Sequence, residues 1–232
     1  MKEMRRYKIG ILGISECRWS GLGRLKTQTG ETSLYSGRDD EVHQSGVALA
    51  LDKESAKFIE RWAPISDRII SARFYSRYTK TSIIQVHAPT NGADVEAKDE
   101  FYDQLQKVID SVPKHGILIL MGDWNAKVGK RQVGEGCVMG KEALKCVRND
   151  NGVRFVDFCA TNSLVITTTS FPHKDIHKYT WTSQDGHTRN QIDHVAATLI
   201  ELSRTNFQQM VSTSLIICIS KLNQNDVISY FN

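Results

Sequence analysis

The run Ile117–Met121 is wholly apolar and stops at Gly122-Asp123-Trp124-Asn125. A strand with one wet face alternates apolar and polar residues. An unbroken apolar run this short is what a strand covered on both faces requires. The chain therefore has to supply layers on either side of it. Further β-type runs are Ile9–Ile14, Gly46–Leu51, Ile69–Phe74, Ser82–His87, Leu164–Thr168, Tyr179–Thr182 and Gln191–Ala197, separated by turn residues. Two helices are signalled. After Asp94, a plausible N-cap, Val95–Val112 carries Phe101, Leu105, Val108, Ile109 and Val112 on one face, and Pro113 and Gly116 stop it. The second spans Asp150–Thr161, with Val153, Val156, Phe158 and Cys159 apolar, and a short third is expected over Lys53–Glu60.

Strands interspersed with a few helices point to a sheet-rich α/β sandwich. No internal repeat or Pro/Ser-rich linker divides the chain, and 232 residues are within range for one large domain. We read residues 1–200 as that domain. Residues 201–232 are a divergent tail, richer in Ser, Asn and Gln, in which Leu215–Ile219 reads as a buried strand too short to cross a membrane. Hydrophobic residues at 40% and charged residues at 24% support a sizeable core. A net charge of +4 permits a polyanionic partner and equally fits a solvated mixed-charge surface. The five cysteines are scattered with no Cys-x-x-Cys pair, which speaks against a disulfide framework or zinc site and for a reducing, intracellular compartment. The charged start Met1–Arg6 is no signal peptide, and no membrane segment is expected.

Several strand ends carry polar residues. Asp123 and Asn125 are two apart and share a side if the extended geometry persists. One offers a carboxylate for a metal or water, the other amide donors for a phosphate oxygen; both residues also commonly make the turn after a strand. Glu16, in Ser15-Glu16-Cys17-Arg18-Trp19, is a hard-metal ligand or a solvated carboxylate. His87, before Ala88-Pro89-Thr90-Asn91, is a ligand, a phosphate donor or a core histidine. Asp193 and His194, in Asn190-Gln191-Ile192-Asp193-His194, face opposite ways along a strand, so they do not act together simply.

Taken in order, these four motifs make the chain similar to the endonuclease/exonuclease/phosphatase superfamily. More narrowly it resembles the endonuclease domains of RTE/BovB-type LINE retrotransposons and the related craniofacial development protein 2-like proteins. Ser66-Asp67-Arg68-Ile69-Ile70, Phe171-Pro172-His173-Lys174 and Tyr179-Thr180-Trp181-Thr182-Ser183 fit the narrower group. The resemblance covers roughly residues 8–197. It implies a four-layer α/β sandwich with two packed central sheets and outer helices. It also implies Mg²⁺- or Mn²⁺-dependent phosphodiester hydrolysis with DNA as partner, no further small-molecule cofactor, and a nuclear setting. By the same resemblance Glu16 is the metal-binding residue, Asp123 positions or deprotonates the attacking water, Asn125 holds the scissile phosphate, His87 stands at a phosphate-contacting position, and Asp193 orients a catalytic histidine.

Three departures qualify it. Only Met1–Tyr7 precedes the Glu16 strand, and no Asn occurs there to match the family's first, metal-binding strand. His87 stands where relatives usually have Tyr. No Ser-Asp-His, the family's last catalytic motif, occurs in the chain. The expectation is a sandwich lacking the first and last family strands, holding a weakened or inactive nuclease. The alternative is an inactive DNA-binding or interaction protein of the same fold.

Overall fold

A computed structural model describes residues 2–40, 45–75, 80–198 and 216–220. In chain order the elements are α1 (Lys2–Arg6), β1 (Ile11–Ser15), β2 (Leu22–Lys26), β3 (Thr32–Ser36), β4 (Val47–Leu51), β5 (Ile59–Ser66), β6 (Ile69–Tyr75), β7 (Lys80–His87), α2 (Val95–Ser111), β8 (Ile117–Asp123), α3 (Asp150–Thr161), β9 (Leu164–Ile166), β10 (Trp181–Thr182), β11 (Arg189–Asn190), β12 (Asp193–Thr198) and β13 (Ile216–Ser220). They form a five-stranded sheet ordered β13-β1-β4-β3-β2 and a six-stranded sheet ordered β5-β6-β7-β8-β12-β9. β10 and β11 pair apart as a two-stranded ribbon.

The apolar run of β8 is explained by its place. Ile117, Ile119 and Met121 join Leu34, Leu49, Leu51, Ile70 and Ile83 in the core between the sheets. Leu118 and Leu120, on the opposite face, pack under the helices with Phe101, Leu105, Phe155, Val156 and Cys159. The period-two alternation of a strand thus feeds two cores at once. The outer face of the five-stranded sheet is covered more thinly, by Met4 of α1 over Leu12, Ile14, Ala48 and Ala50. The four layers are α1, the two sheets, and the α2–α3 pair.

Several elements differ from the sequence reading. Over Lys53–Glu60 only a 3₁₀ turn forms at Ser55–Phe58, and Ile59 already opens β5. β5 is an edge strand, the position in which its Pro64 is tolerated because no ladder N–H is lost. β2 and β3 were not foreseen: Leu22–Lys26 is a largely exposed edge strand with no apolar face to bury, and Thr32–Ser36 is mostly polar though buried. The helix α3 starts from Asn149, whose side chain accepts from the Gly152 N–H, and its Val153 faces solvent. Leu164–Thr168 is strand only to Ile166, after which Thr167–Thr169 forms a 3₁₀ turn. Tyr179–Thr182 shortens to β10. Ile216–Ser220 lies parallel to β1, residue for residue from Ile11↔Ile216 to Ser15↔Ser220.

The sheets approach closely at β1. Ile11, Gly13 and Ser15 are the residues of β1 on the face toward β7 and β8. A Cβ at Gly13 would stand 2.0 Å from Gln85 Oε1 and 2.6 Å from Met121 Cε, so a larger residue fits only if the Gln85 and Met121 side chains give way. One step on, the Ser15 hydroxyl donates to the Val86 carbonyl (3.1 Å) and accepts from Gln85 Nε2 (2.9 Å) and from the Asp123 N–H (3.3 Å). Gly13→Ala is therefore expected to cost about 1–3 kcal/mol, the range for overpacking a well-filled core. A lowered urea midpoint at unchanged slope is the measurement that checks it.

Candidate active site

The polar residues that end these strands extend the face between the sheets. β7 and β8 run parallel with His87 opposite Asp123, and antiparallel β12 places Asp193 opposite Asp123 on the other side. Ile83, Ile119 and Val195 lie in or against the inter-sheet core on these three strands. At steps of two residues His87, Asp123 and Asp193 share their face. Glu16 follows β1 directly, and the Ser15 bonds to Val86 and Asp123 hold that end against β7 and β8. One ligand atom each from Glu16, His87 and Asp123 lies within 4.8 Å of the others. Asn125 and Asp193 stand at the same rim outside this trio.

The local backbone is built for the arrangement. Gly122 has φ +154°, and a Cβ there would stand 2.1 Å from the Val86 carbonyl oxygen, a separation no side chain tolerates. Glu16 (φ 55°) and Asn125 (φ 49°) both adopt the left-handed region, a conformation that costs a non-glycine residue energy and recurs at functional sites. Asp123 Oδ1 accepts the Asn125 N–H at 2.9 Å, and the Asp123 carbonyl accepts from the Ala88 N–H. Asn125 Nδ2 donates to the Ala88 carbonyl at 3.0 Å. The two residues are thus coupled through a turn, and the extended geometry that would have aligned them ends at Asp123.

Asn149 and Asn151 were missed by sequence reasoning. Asn149 Nδ2 donates to the Asn125 carbonyl (3.0 Å), while its Oδ1 accepts from the Lys127 and Gly152 N–H groups. Asn151 Nδ2 donates to the Pro89 carbonyl (2.9 Å), so the start of α3 braces both loops of the site. The signal available was two asparagines at a helix start, which also caps helices everywhere. Trp124 faces away from the site. It is fully buried, stacks on Phe155 at 4.1 Å between ring centroids, and donates Nε1–H to the His194 carbonyl.

Among the described residues two histidines are buried, and their surroundings differ. His194, on the helix side of β12, has Nε2 2.9 Å from the Ala126 carbonyl and Nδ1 2.9 Å from Thr168 Oγ1. A neutral ring satisfies both, donating from Nε2 and accepting at Nδ1. It is a core residue. His87 is 8% exposed, and its Nδ1 is buried with no hydrogen-bond partner. Its backbone is held at both ends by Arg68: the His87 N–H donates to the Arg68 carbonyl, and Arg68 Nη1 donates to the His87 carbonyl. Burial, and then the Arg68 charge, push the His87 pKa down to about 4, against a smaller opposing pull from Asp67. Burial lowers His194 to about 4 as well. With His87 neutral, two carboxylates and an imidazole make an electronegative cluster. It fits a divalent cation, and without one it would repel a phosphodiester. Arg18 and Lys130 near the rim are exposed, and Lys127 is half-buried.

Among known proteins, craniofacial development protein 2 of Bos taurus is 38% identical over 194 residues, covering 84% of this chain and 32% of that protein. The Tragulus javanicus protein of the same name is 38% identical over 194 residues, covering 33% of its length. The chain thus spans about a third of the curated relatives it matches. No protein-family model matches it. Solved structures of similar fold include an AP endonuclease from Leishmania major (TM-score 0.58, 12% identity, 85% of this chain and 72% of that one). Another is the endonuclease domain of TRAS1, a telomere-specific non-LTR retrotransposon (0.53, 14%, 85% and 76%). A third is D. rerio TDP2 complexed with a single-strand DNA product (0.55, 12%, 87% and 76%).

Both buried histidines titrate in the folded protein well below the ordinary 6.5. The unfolded chain then takes up protons between pH 6.5 and about 4 that the folded chain refuses. Stability present above pH 6.5 is lost as the pH falls through that window, by roughly 3 kcal/mol for one such histidine. Imidazole ¹H–¹³C spectra across pH 7.5–5.5 are expected to show two resonances that do not shift, with denaturation midpoints falling over the same range.

Proposed function

We propose, for a chain homologous to craniofacial development protein 2 and folded as an endonuclease/exonuclease/phosphatase sandwich, that it is the core of a Mg²⁺- or Mn²⁺-dependent phosphodiesterase. Its substrate is DNA, its origin a retrotransposon, and its setting nuclear. The observation that carries this is the convergence of Glu16, His87 and Asp123 at one sheet edge. The relatives' names add support: an AP endonuclease, a retrotransposon endonuclease and a protein solved with a DNA product share the fold.

Glu16 and its neighbours would hold the cation. When bound, the ion supplies neutralisation of phosphate charge and stabilises the further charge of the transition state. The chain's own residues do the rest. Asp123 is 3% exposed, and the Asn125 N–H fixes one of its carboxylate oxygens. A carboxylate held this rigidly, with one oxygen toward the ion, would orient an attacking water through the other and accept its proton. The Asn125 amide has two N–H donors; one meets the Ala88 carbonyl, and the second is suited to a phosphate oxygen. As the phosphorus–oxygen bond breaks, the leaving oxygen needs a proton. Asp193 lies on β12 directly opposite Asp123, where it would orient the donor, but the chain contains no Ser-Asp-His, and His194 points into the helix-side core. The activity is therefore expected to be weak, since losing a general acid costs about 10²–10⁴-fold.

A second reading rests on that same gap: a DNA-binding protein that keeps the fold without hydrolysis. Conversion of supercoiled plasmid to nicked circles separates the two. We expect slow nicking that requires Mg²⁺ or Mn²⁺, stops with a chelator, and is abolished in Asp123→Ala and Glu16→Ala. DNA affinity with no nicking under any metal, unchanged in both variants, would establish the second reading instead.

A further inference from the structure

Two buried histidines sit on opposite faces of one sheet, and only one has its ring fully engaged. His194 meets a carbonyl and a hydroxyl at 2.9 Å each. His87 is also buried, at 8% exposure, yet its Nδ1 is without a hydrogen-bond partner. Buried polar atoms are nearly always satisfied, so such an atom calls for an explanation, one of which is an ion. His87 also supplies one of the three ligand atoms that lie within 4.8 Å of one another, the others coming from Glu16 and Asp123. Metal bonds of about 2.0–2.2 Å bring the ligand atoms around one ion within about 4.4 Å of each other, so the trio needs only a small adjustment to share one. The residue's backbone is fixed beside Asp123 by the two Arg68 bonds and the β7–β8 pairing, so a turn of the ring is all that ligation requires.

We infer that His87 is a metal ligand, and that the site is a mixed nitrogen–oxygen centre which takes Mn²⁺, Co²⁺ or Zn²⁺ in preference to Mg²⁺. This rests on the proposed cation site and specifies its donor set. Imidazole is a borderline donor that suits transition ions, whereas Mg²⁺ binds oxygen and gives up its water reluctantly. A neutral nitrogen in place of an oxygen ligand costs Mg²⁺ more than it costs Mn²⁺. One imidazole and two carboxylates also leave positions for water or a phosphate oxygen.

The experiment is Mn²⁺ binding to the whole chain at pH 7.5, followed by electron paramagnetic resonance. We expect ¹⁴N coupling to the bound Mn²⁺, displacement by Zn²⁺ near stoichiometry, and displacement by Mg²⁺ only in about 100-fold excess. His87→Gln and His87→Ala should remove the nitrogen coupling and weaken Mn²⁺ at least about tenfold, with Mg²⁺ affinity changed much less. Circular dichroism shows whether each variant is folded, and either suffices. Bound Mn²⁺ without nitrogen coupling, lost in Glu16→Gln but not in His87→Gln, would overturn the inference while leaving the cation site standing. No Mn²⁺ binding at all would remove both.

Discussion

The Ser15 hydroxyl is the point on which the geometry of the candidate site turns. It is a single buried group that donates to the Val86 carbonyl and accepts from Gln85 and the Asp123 N–H. Through it the end of one sheet is tied to the ends of two strands in the other. Hydrophobic contact presses the sheets together, but it is non-directional and does not fix their register at this end. A fully satisfied polar group in a dry seam does. Gly13, two residues earlier, removes the side chain that would hold the sheets apart. Glu16 comes immediately after, and its neighbours across the seam are therefore His87 and Asp123.

The same seam explains the electrostatics. The face that is apolar along Ile83, Ile119 and Val195 turns polar toward its end, at Gln85 and then in His87, Asp123 and Asp193. Burying carboxylates is costly unless something compensates, and the Asn125 N–H bonded to Asp123 Oδ1 is one such compensation. A neutral imidazole adds no positive charge to offset them. On the proposed reading a divalent cation is a further compensating partner, and a phosphodiester is the anion it would attract. On the same reading the absence of Ser-Asp-His would leave the leaving group without its acid, so an ion site and a slow reaction are compatible in one chain.

The layered architecture and most of the site were legible because their signals are local. The unbroken apolar run Ile117–Met121 demands cover on two faces, and it has it. Asp123 and His87 were legible as polar residues ending buried strands. Less was visible where tertiary context decides. Leu22–Lys26 and Thr32–Ser36 lack an apolar stripe, and only pairing with each other and with β4 makes them strands. Lys53–Glu60 carries helix formers, yet Ile59 is drawn into β5 by pairing with Phe74. Asn149 and Asn151 act through backbone carbonyls of loops 24–62 residues away in sequence, which no spacing rule reveals. That His87 shares a centre with Glu16 required knowing how β1 and β7 meet. Most of residues 201–232, read as a divergent tail, lies outside the described residues, apart from Ile216–Ser220 beside β1.

The central claim is that Glu16, His87 and Asp123 form one metal centre. The most direct measurement is an anomalous difference map from a crystal of the full chain soaked in Mn²⁺. The account predicts a peak between the Glu16 and Asp123 carboxylates and the His87 ring, within bonding distance of all three. A peak bound by Glu16 alone, with the His87 ring turned away, or no peak at this rim at saturating Mn²⁺, would contradict it.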